Sequence, residues 1–324
     1  MAVKIRDYEV RLTRGKEERR MVRQLRYRCF VEEVGMVVPT EEQKELKEEY
    51  DDFDSHADYM AVFHKGAIVG TYRVINRAAS EKLGGFYSET EFDISKIKKR
   101  KGNIAEMSRA CVDKAYREEG LVMSMLWLGL GEYVQRNKIK ILFGLGSFWQ
   151  SSNPADTAQA ISYLYYYHLA PASLRATINL DKLDPSVNPK MTRMNILPKA
   201  FVDKDKAFKE MPALIKGYLR LGGMVGKGVN ISPKENDYDV FVMCLTKNIN
   251  KAYQKKFTGN PNAFDNFGLQ DTAMTAIGKI LFGKILFLPF KVGFLTLKAV
   301  AGLFLNEEDL KEAEITKDDA DDFV

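Results

Sequence analysis

A strand–helix–strand run between residues 104 and 144 constrains the fold more than any other part of the sequence. Residues 104–112 are strand-like, residues 121–135 show the pattern of an apolar helix, and residues 139–144 are short and wholly apolar. A strand that is apolar on both faces is typical of the interior of a sheet that helices cover. The run therefore predicts an α/β fold with a central strand at residues 139–144.

The segments around this run predict a mixed central sheet flanked by helices. Lys65 and Gly66 separate two apolar runs and indicate a compact hairpin. The acidic stretch at residues 40–54 is expected to be partly loop. We predict further strands at residues 8–12, 59–64, 67–75 and 239–246, and helices at residues 16–33 and 211–224.

Residues 147–210 do not fit this plan, because they lie between a central strand and the helix that would ordinarily follow it within a few residues. The stretch includes the aromatic run SYLYYYHLAP at residues 162–171. Insertions of this size in a compact domain usually have a binding role. We therefore predict a large insertion before the penultimate helix, with a role in binding.

A second region outside the plan, residues 272–305, combines apolar residues with a single stripe of lysines. Lys279, Lys284, Lys291 and Lys298 are spaced five, seven and seven residues apart. The last three lie within roughly 40° of one another on a helical wheel. A lysine stripe on an otherwise apolar helix is typical of a helix that lies in a membrane interface. We expect a C-terminal amphipathic helix on an anionic membrane surface, and packing on the protein's own core is the alternative.

Charge is distributed unevenly along the chain. Residues 306–324 contain nine acidic and two basic residues, a net charge of −7, so the overall charge of +5 leaves +12 on residues 1–305. A basic body suits an anionic partner such as nucleic acid, acidic lipid or an acidic carrier protein. Because the basic residues form no recognisable nucleic-acid-binding module, nucleic acid is not expected as a partner. The acidic end is expected to be a disordered tail.

Several common catalytic and metal sites are excluded by the sequence. None of the three histidines, at positions 56, 64 and 168, has an aspartate in the H-x4-D pattern, and GLGSFW does not match the G-x-S-x-G nucleophile motif. No Walker A loop is present, and possible metal ligands do not cluster. Cys29, Cys111 and Cys244 form no C-x-x-C pair. We therefore expect no metal site, no disulfide framework and a reducing, cytoplasmic location.

Short motifs in a fixed order resemble a known family. LRYRCF (25–30), YDDFD (50–54), VGTYR (69–73), FYSETEFD (86–93) and EMSRACV (106–112) resemble the GNAT-like N-acyltransferases, including the acyl-homoserine-lactone synthases. The later motifs LFGLGSF, SYLYYYHLAP and MPALIKGYLRLGG resemble the ornithine–acyl-carrier-protein N-acyltransferases, which make lyso-ornithine lipid. The resemblance covers about residues 8–257.

Three positions depart from the patterns of these families. Val34 and Gly35 occupy the stretch in which acyl-homoserine-lactone synthases have a tryptophan, and of the family's histidine run only His168 is retained. The phosphate-binding pattern R/Q-x-x-G-x-G/A is present as Arg117-x-x-Gly120, with valine at the last position. A valine there disfavours a tightly held pyrophosphate, which favours acyl carrier protein over coenzyme A as the acyl donor.

The resemblance implies that an amino acid's α-amine attacks a thioester directly, with no covalent enzyme intermediate. It implies no cofactor, and acyl carrier protein brings the acyl group as a co-substrate. Glu106 is the predicted proton acceptor, directly or through a water, and a main-chain amide of residues 106–111 is the predicted oxyanion donor. Arg109 is the second predicted catalytic residue. Residues three apart in a regular strand lie on opposite faces, so Glu106 and Arg109 share a face only if the strand bulges, as GNAT sheets do.

The remaining predicted site residues bind the substrates. By resemblance, Arg26 or Arg73 binds the carboxylate of the amino acid. Asp51 and Asp54 pair with these arginines or with a cationic side chain such as that of ornithine. The predicted substrate-binding residues are Arg26, Phe30, Asp51, Asp54, Arg73, Ser108 and His168, and the predicted phosphopantetheine-binding residues are Arg117 and Gly120.

Together these observations predict an enzyme that transfers a (3-hydroxy)acyl chain from acyl carrier protein to the α-amine of L-ornithine. The alternatives are another amine, such as lysine, glutamine, glycine or a homoserine-lactone precursor, and a non-catalytic membrane lipid-binding protein. We predict a GNAT-like acyltransferase domain at residues 1–260, a membrane-surface segment at residues 261–305 and an acidic tail at residues 306–324. The protein is expected to lie at the cytoplasmic face of the membrane.

Overall fold

Ten strands form one mixed sheet in the computed structural model, which describes residues 2–118, 120–149, 151 and 153–249. In chain order they are β1 (Ala2–Ile5), β2 (Tyr8–Leu12), β3 (Asp58–His64), β4 (Ala67–Asn76), β5 (Phe92–Asp93), β6 (Asn103–Val112), β7 (Ile139–Trp149), β8 (Thr177–Ile178), β9 (Met224–Ser232) and β10 (Asp237–Leu245). Their order in the sheet is β1-β2-β3-β4-β6-β7-β10-β9-β8-β5. Neighbours are antiparallel except for β6 with β7 and β8 with β9, which are parallel. The sheet is therefore mixed, as predicted.

Helices connect the described strands and cover both faces of the sheet. They are α1 (Gly15–Arg26), α2 (Glu41–Leu46), α3 (Arg77–Leu83), α4 (Ser95–Lys98), α5 (Leu121–Arg136), α6 (Ala158–Tyr167), α7 (Lys204–Glu210) and α8 (Ala213–Arg220). The chain continues from α1 directly into a π-helical stretch, Tyr27–Glu33. Ala61 of β3 packs in the cluster that contains α1, and Val62 packs in the cluster that contains α5. Because successive strand residues face opposite sides, α1 and α5 cover opposite faces.

The parallel strands β6 and β7 pair only over their first residues and then diverge. Their register ends with Glu106 opposite Phe143, whereas β7 continues along β10 as far as Trp149. Gly144 lies where the strands separate, and a Cβ at this position would overlap the main-chain oxygen of Met107. The divergence opens a gap in the middle of the sheet.

The second half of β6 is bulged where it pairs with β4. Ser108 lies opposite Arg73 and Cys111 lies opposite Thr71. Two residues of β6 therefore stand opposite a single residue of β4, and the first of them, Arg109, has a φ of 51°. This left-handed conformation is uncommon for a residue other than glycine. The predicted bulge in the central strand is confirmed.

The sequence predicted six of the ten described strands, namely β2, β3, β4, β6, β7 and β10, and the helices α1, α5 and α8. It did not predict β1, β5, β8 or β9, and it extended the helix α8 too far. The helix ends at Arg220, Gly222 has a φ of 78°, and Met224 already begins β9. Because β7 extends to Trp149, the insertion predicted from residue 147 begins only after that strand.

Some predictions concern residues outside the described part of the chain. The lysine-striped segment at residues 272–305, the acidic tail at residues 306–324 and the domain boundary at residue 260 all lie there. Within the described ranges, no helix has both the length and the apolar character needed to cross a bilayer.

Candidate active site

A cavity of about 580 Å³ lies where β6 and β7 diverge. Both strands line it beyond their last shared pair, together with the π-helical stretch after α1, the turn before α5 and the first turn of α8. Cavities of this size hold small-molecule ligands. The gap between β6 and β7 is therefore the candidate active site.

The cavity passes from one face of the sheet to the other. Met107 and Met123 pack in the layer of α5, whereas Cys29 and Phe30 pack in the layer of α1. All four residues line the cavity. Side chains from both layers of the fold therefore line one cavity at the centre of the sheet.

The bulge in β6 places two consecutive side chains on the α1 face of the sheet. Ser108 Oγ accepts a hydrogen bond from Arg73 Nε at 2.9 Å, and Arg109 Nη2 donates to Asp51 Oδ2 at 3.1 Å. Arg73 also pairs with Asp51. Glu106, two residues before Ser108, lies on this face by strand alternation. Glu106 and Arg109 thus share a face, as the bulge requires.

Three arginines and three acids form a closed ring of ion pairs beside the cavity. The members are Arg26, Arg73, Arg109, Glu49, Asp51 and Asp54. Each arginine pairs with two of the acids, and each acid pairs with two of the arginines. Although burial opposes ionisation, Arg26 and Arg73 hold the pKa of Asp54 well below its usual range. The ring is electrically neutral, which is what permits so many charges to be buried together.

Two of the predicted substrate-binding arginines have acidic partners within this ring. Arg26 and Arg73 are 0% exposed, and neither lines the cavity. They cannot hold the substrate's carboxylate in this arrangement, because their guanidinium groups are enclosed and already paired with acids. Of the two partners predicted for Asp51 and Asp54, the structure shows the arginines. Among the ring's arginines, Arg109 lines the cavity.

Glu106 is fully buried behind the cavity wall. Its carboxylate accepts hydrogen bonds from the main-chain nitrogens of Tyr87 at 2.6 Å and Ser88 at 2.7 Å, and from Ser88 Oγ. Burial raises the pKa of Glu106 to about 7, although the hydrogen bonds from Ser88 act in the opposite direction. Glu106 does not line the cavity. Of the two predicted proton routes, direct transfer to Glu106 is therefore not possible in this arrangement.

Arg117 and Gly120, the predicted phosphopantetheine-binding residues, line the cavity at the turn before α5. Arg117 donates to both carboxylate oxygens of Glu33, at 2.5 and 2.7 Å, so its charge already has a partner. Gly120 has a φ of 64° and immediately precedes α5. Val122 is 1% exposed and lies against Gly70 of β4, so its side chain does not narrow the turn. This valine therefore does not distinguish acyl carrier protein from coenzyme A as the acyl donor.

The other predicted substrate-binding residues divide between the cavity and a separate part of the core. Phe30 and Ser108 line the cavity, whereas His168 does not. The main-chain oxygen of His168 accepts a hydrogen bond from Val225 at 2.7 Å, and its ring lies 5.3 Å from that of Tyr163. His168 therefore lies outside the lining of this cavity, and its substrate-binding role stays a prediction.

An acidic wall of the cavity was missed by the sequence reasoning. It consists of Glu91, Asp237 and Asp239, all of which line the cavity. Asp237 and Asp239 are two residues apart in β10 and so lie on one face of the sheet. The sequence signal is the alternation Asp-Tyr-Asp at the start of a closing strand, where core residues are expected.

Lys216 was also missed. It lies in the first turns of α8, lines the cavity and is only 6% exposed. Burial lowers the pKa of this lysine. A lysine in an amphipathic helix ordinarily lies on the solvated face, so nothing in the sequence of α8 indicates that this one is enclosed.

The bulged strand, the gap between parallel strands and the glycine turn before α5 together define an acyltransferase of the GNAT class. A sequence profile described as the acetyltransferase (GNAT) domain matches residues 25–128, a range that runs from the end of α1 into α5. Among solved structures, the chain is similar to FeeM, an N-acyl amino acid synthase from uncultured soil microbes. That match has 13% identity and a TM-score of 0.39, and it covers 78% of this chain and 94% of the other. At that level the likeness carries no functional argument.

Curated relatives identify the family within this class. The chain is 32% identical over 265 residues to an L-ornithine N(alpha)-acyltransferase of Rhodobacter capsulatus, covering 80% of this chain and 97% of that protein. It is 33% identical over 271 residues to the enzyme of the same name from Brucella abortus, covering 81% and 92%. The chain belongs to the L-ornithine N(alpha)-acyltransferase family. The resemblance drawn from the short motifs is confirmed.

Proposed function

We propose that this enzyme transfers an acyl chain from acyl carrier protein to the α-amine of L-ornithine and so forms lyso-ornithine lipid. The observation that carries the proposal is the cavity through the sheet where β6 and β7 diverge. The choice of amine follows the relatives, which are named L-ornithine N(alpha)-acyltransferases. Two substrates must meet at one carbon atom, and at that point residues from both faces of the sheet line the cavity.

The acyl donor fits the side of the cavity at α5. Beyond Glu106 and Phe143 the facing edges of β6 and β7 no longer pair, so their main-chain groups are available to the amides of a phosphopantetheine arm. The phosphate of that arm would lie at the N-terminus of α5, next to Gly120, where unpaired helix amides favour an anion. Because Arg117 is paired with Glu33, we assign the phosphate chiefly to these amides.

The apolar part of the cavity suits the acyl chain. Cys29, Phe30, Val34, Met36 and Val37 line it in the π-helical stretch after α1 and the segment that follows. Burying methylene groups against such side chains contributes about 0.8 kcal/mol for each CH₂. This segment therefore holds the chain while the thioester carbon stays at the gap.

The reaction forms one bond and breaks another at the thioester carbon. The lone pair of the α-amine attacks the carbonyl, a C–N bond forms, and the C–S bond breaks to release the carrier's thiol. A main-chain amide at the bulge, near Arg109, would stabilise the oxyanion. The amine's proton would pass through an intermediary to Glu106, whose pKa of about 7 suits a proton acceptor. Arg109, also at the cavity, would offset the negative charge that develops.

Carrier protein and membrane are proposed as partners on the basis of charge. Residues 1–305 carry a net charge of +12, and a basic surface increases the rate of encounter with an acidic carrier or an anionic lipid surface. The lysine-striped segment at residues 272–305 is the proposed membrane contact. We place the enzyme at the cytoplasmic face of the membrane, where its lipid product belongs.

The test is an acyl-transfer assay with the purified full-length protein. A 3-hydroxyacyl group is supplied on acyl carrier protein or on coenzyme A, with L-ornithine, L-lysine, L-glutamine or glycine as acceptor, and products are identified by mass spectrometry. We expect N-acylornithine, formed faster from the carrier protein. A preference for another acceptor would overturn ornithine as the substrate, and the absence of any N-acyl product would overturn the proposed function.

A further inference from the structure

The acidic wall, Glu91, Asp237 and Asp239, is an unusual feature for a buried cavity. Asp237 and Asp239 begin β10, where they lie opposite Trp149 and Ser147 of β7. Ser147 belongs to the part of β7 that has diverged from β6. The wall therefore stands at the gap in which the proposed reaction takes place.

Two of the three carboxylates each have one buried oxygen without a hydrogen bond. Asp237 is 3% exposed, and its Oδ1 accepts no hydrogen bond within the described part of the chain. Oε2 of Glu91 is likewise buried and without a hydrogen bond among the described residues, although the Glu91 side chain is hydrogen-bonded to Asn230. Asp239 accepts one from Ser147 Oγ at 2.6 Å. A buried carboxylate oxygen without a hydrogen bond costs free energy, so these oxygens are arranged for something other than stability.

The acids also make their own ionisation unfavourable. Burial, followed by the charge of Asp239, raises the pKa of Asp237 to about 7. Burial likewise raises the pKa of Asp239 to about 6, and that of Glu91 well above its usual range. A cation placed among the three would relieve this repulsion. The contrast with the neighbouring ring of ion pairs is direct, because that ring contains one arginine for each acid and this wall does not.

The geometry indicates an organic cation rather than a metal ion. Within the described ranges, no group of three or more His, Cys, Asp or Glu side chains is placed to share a metal ion. Metal ligands must converge to within about 2.0–2.6 Å of one point, whereas an ammonium group donates hydrogen bonds to acceptors near 2.8 Å in several directions. The wall therefore suits a primary ammonium on a flexible carbon chain better than it suits a metal ion.

We propose that Glu91, Asp237 and Asp239 bind the side-chain ammonium of the amino acid acceptor and thereby select diamino acids over neutral ones. The inference rests on the proposed function, since it assigns the acceptor's side chain to a part of the same cavity. With the δ-ammonium held at the acidic wall, the α-amine of ornithine is directed toward the thioester at the gap. The wall thus determines both which acceptor binds and which of its two amines reacts.

The experiment compares L-ornithine with L-norvaline, which has the same carbon chain without the δ-amine. Values of kcat/KM are measured for both acceptors with 3-hydroxyacyl carrier protein, in the wild type and in Asp237→Asn. We expect the substitution to lower kcat/KM for ornithine by on the order of 10- to 100-fold, the usual effect of losing a hydrogen bond to a charged group. Acylation of norvaline should change by less than about threefold, because norvaline has no cation for Asp237 to bind.

Glu81→Gln is the matched control. Glu81 lies in α3, is exposed to solvent and does not line the cavity. Water screens its charge, so we expect a change of less than about threefold for ornithine.

The outcomes separate this inference from the proposed function. An equal loss for both acceptors in Asp237→Asn, or no loss for ornithine, would overturn the acidic wall as an ammonium site while leaving acyl transfer intact. If the wild type acylates neither acceptor, the proposed function itself fails. Circular dichroism of Asp237→Asn shows that the variant is folded, and selective loss on ornithine is a result that misfolding cannot produce.

Discussion

Ser108 and Arg109 are consecutive residues of β6, yet both side chains lie on the α1 face of the sheet. Ser108 accepts a hydrogen bond from Arg73 at 2.9 Å, and Arg109 donates to Asp51 at 3.1 Å. A regular strand would place them on opposite faces. The bulge, with a φ of 51° at Arg109, removes this alternation and brings a charged residue to the cavity without turning Glu106 away from the same face.

Because of the ring of ion pairs, substitutions of two arginines that are close in sequence should have very different effects on the free energy of unfolding. Arg26→Met removes a fully buried guanidinium and leaves Glu49 and Asp54 with one partner each. We expect a loss of about 3–5 kcal/mol in the free energy of unfolding. Arg28 pairs with Asp113 but is half exposed, so Arg28→Met should cost at most about 1 kcal/mol. Urea denaturation of the two variants measures the difference, and equal costs would show that the ring is not a stabilising unit.

Gly144 predicts a strict requirement for glycine where β6 and β7 separate. A Cβ at this position would overlap the main-chain oxygen of Met107, so the backbone must shift to accommodate Gly144→Ala. The substitution is expected to lower the free energy of unfolding by on the order of 2–4 kcal/mol. Gly217→Ala is the control, because its Cβ would lie 3.8 Å from Trp127 in ordinary contact. That change, inside a helix, should be neutral or slightly stabilising. Thermal denaturation compares them, and a neutral Gly144→Ala would contradict the close approach of the strands.

Glu106 predicts a pH dependence of activity. Its pKa is raised to about 7, so the carboxylate able to accept a proton becomes populated as the pH rises through 7. In the wild type kcat/KM should therefore increase through this range. Glu106→Gln should lower kcat/KM by on the order of 10²–10⁴ and lose this step in the pH profile. Glu89 lies on the same turn as Tyr87 and Ser88, and its carboxylate pairs with Lys98. Glu89→Gln should keep the step in the pH profile.

A Glu106→Gln variant that keeps the wild-type pH profile would assign the residue to a positioning role. Its three hydrogen bonds from Tyr87 and Ser88 would then serve only to fix that turn beside the cavity. Measurements from pH 5.5 to 8.5 on both variants distinguish the two roles, because a positioning residue changes the rate without changing the apparent pKa.

Asp237 predicts that part of the protein's stability is lost as the pH rises. Its pKa in the folded state is raised to about 7, whereas an aspartate in an unfolded chain titrates near 3.9. The folded state therefore binds the proton more tightly, and stability falls between these two values as the pH increases. Asp237→Asn removes the effect, so the variant should gain stability relative to the wild type by up to a few kcal/mol between pH 5 and pH 8. Urea unfolding at both pH values checks this, and a constant difference would contradict the raised pKa.

The sequence predicted a mixed sheet and its central strands, but it predicted neither β1, β5, β8 and β9 nor the pairing of charges. The apolar run at residues 139–144 identified β7 as a central strand, and the motif EMSRACV indicated the bulge through its family resemblance. The ring joins Arg26, Glu49, Arg73 and Arg109 from four separate segments. Which of these charges face one another depends on the tertiary fold. The sequence therefore predicts substrate binding by Arg26 and Arg73, whereas the structure pairs both with acids.

The acidic wall could not be predicted from the sequence for the same reason. Asp237 and Asp239 have the period of a strand, but their position at a gap in the sheet follows from the pairing of β10 with the diverging end of β7. No local pattern in β10 reports that divergence. Val122 was misjudged for a related reason, since its side chain packs against Gly70 of β4, and that contact is not visible in the sequence of the turn.

The most direct test of the account is the position of the acyl group on the product. Purified enzyme is incubated with 3-hydroxyacyl carrier protein and L-ornithine, and tandem mass spectrometry locates the amide. We predict acylation of the α-nitrogen alone, because the cavity places the thioester at the gap between β6 and β7 and the side-chain ammonium at Asp237 and its neighbours. Acylation of the δ-nitrogen, or a mixture of the two products, would contradict this arrangement of the site.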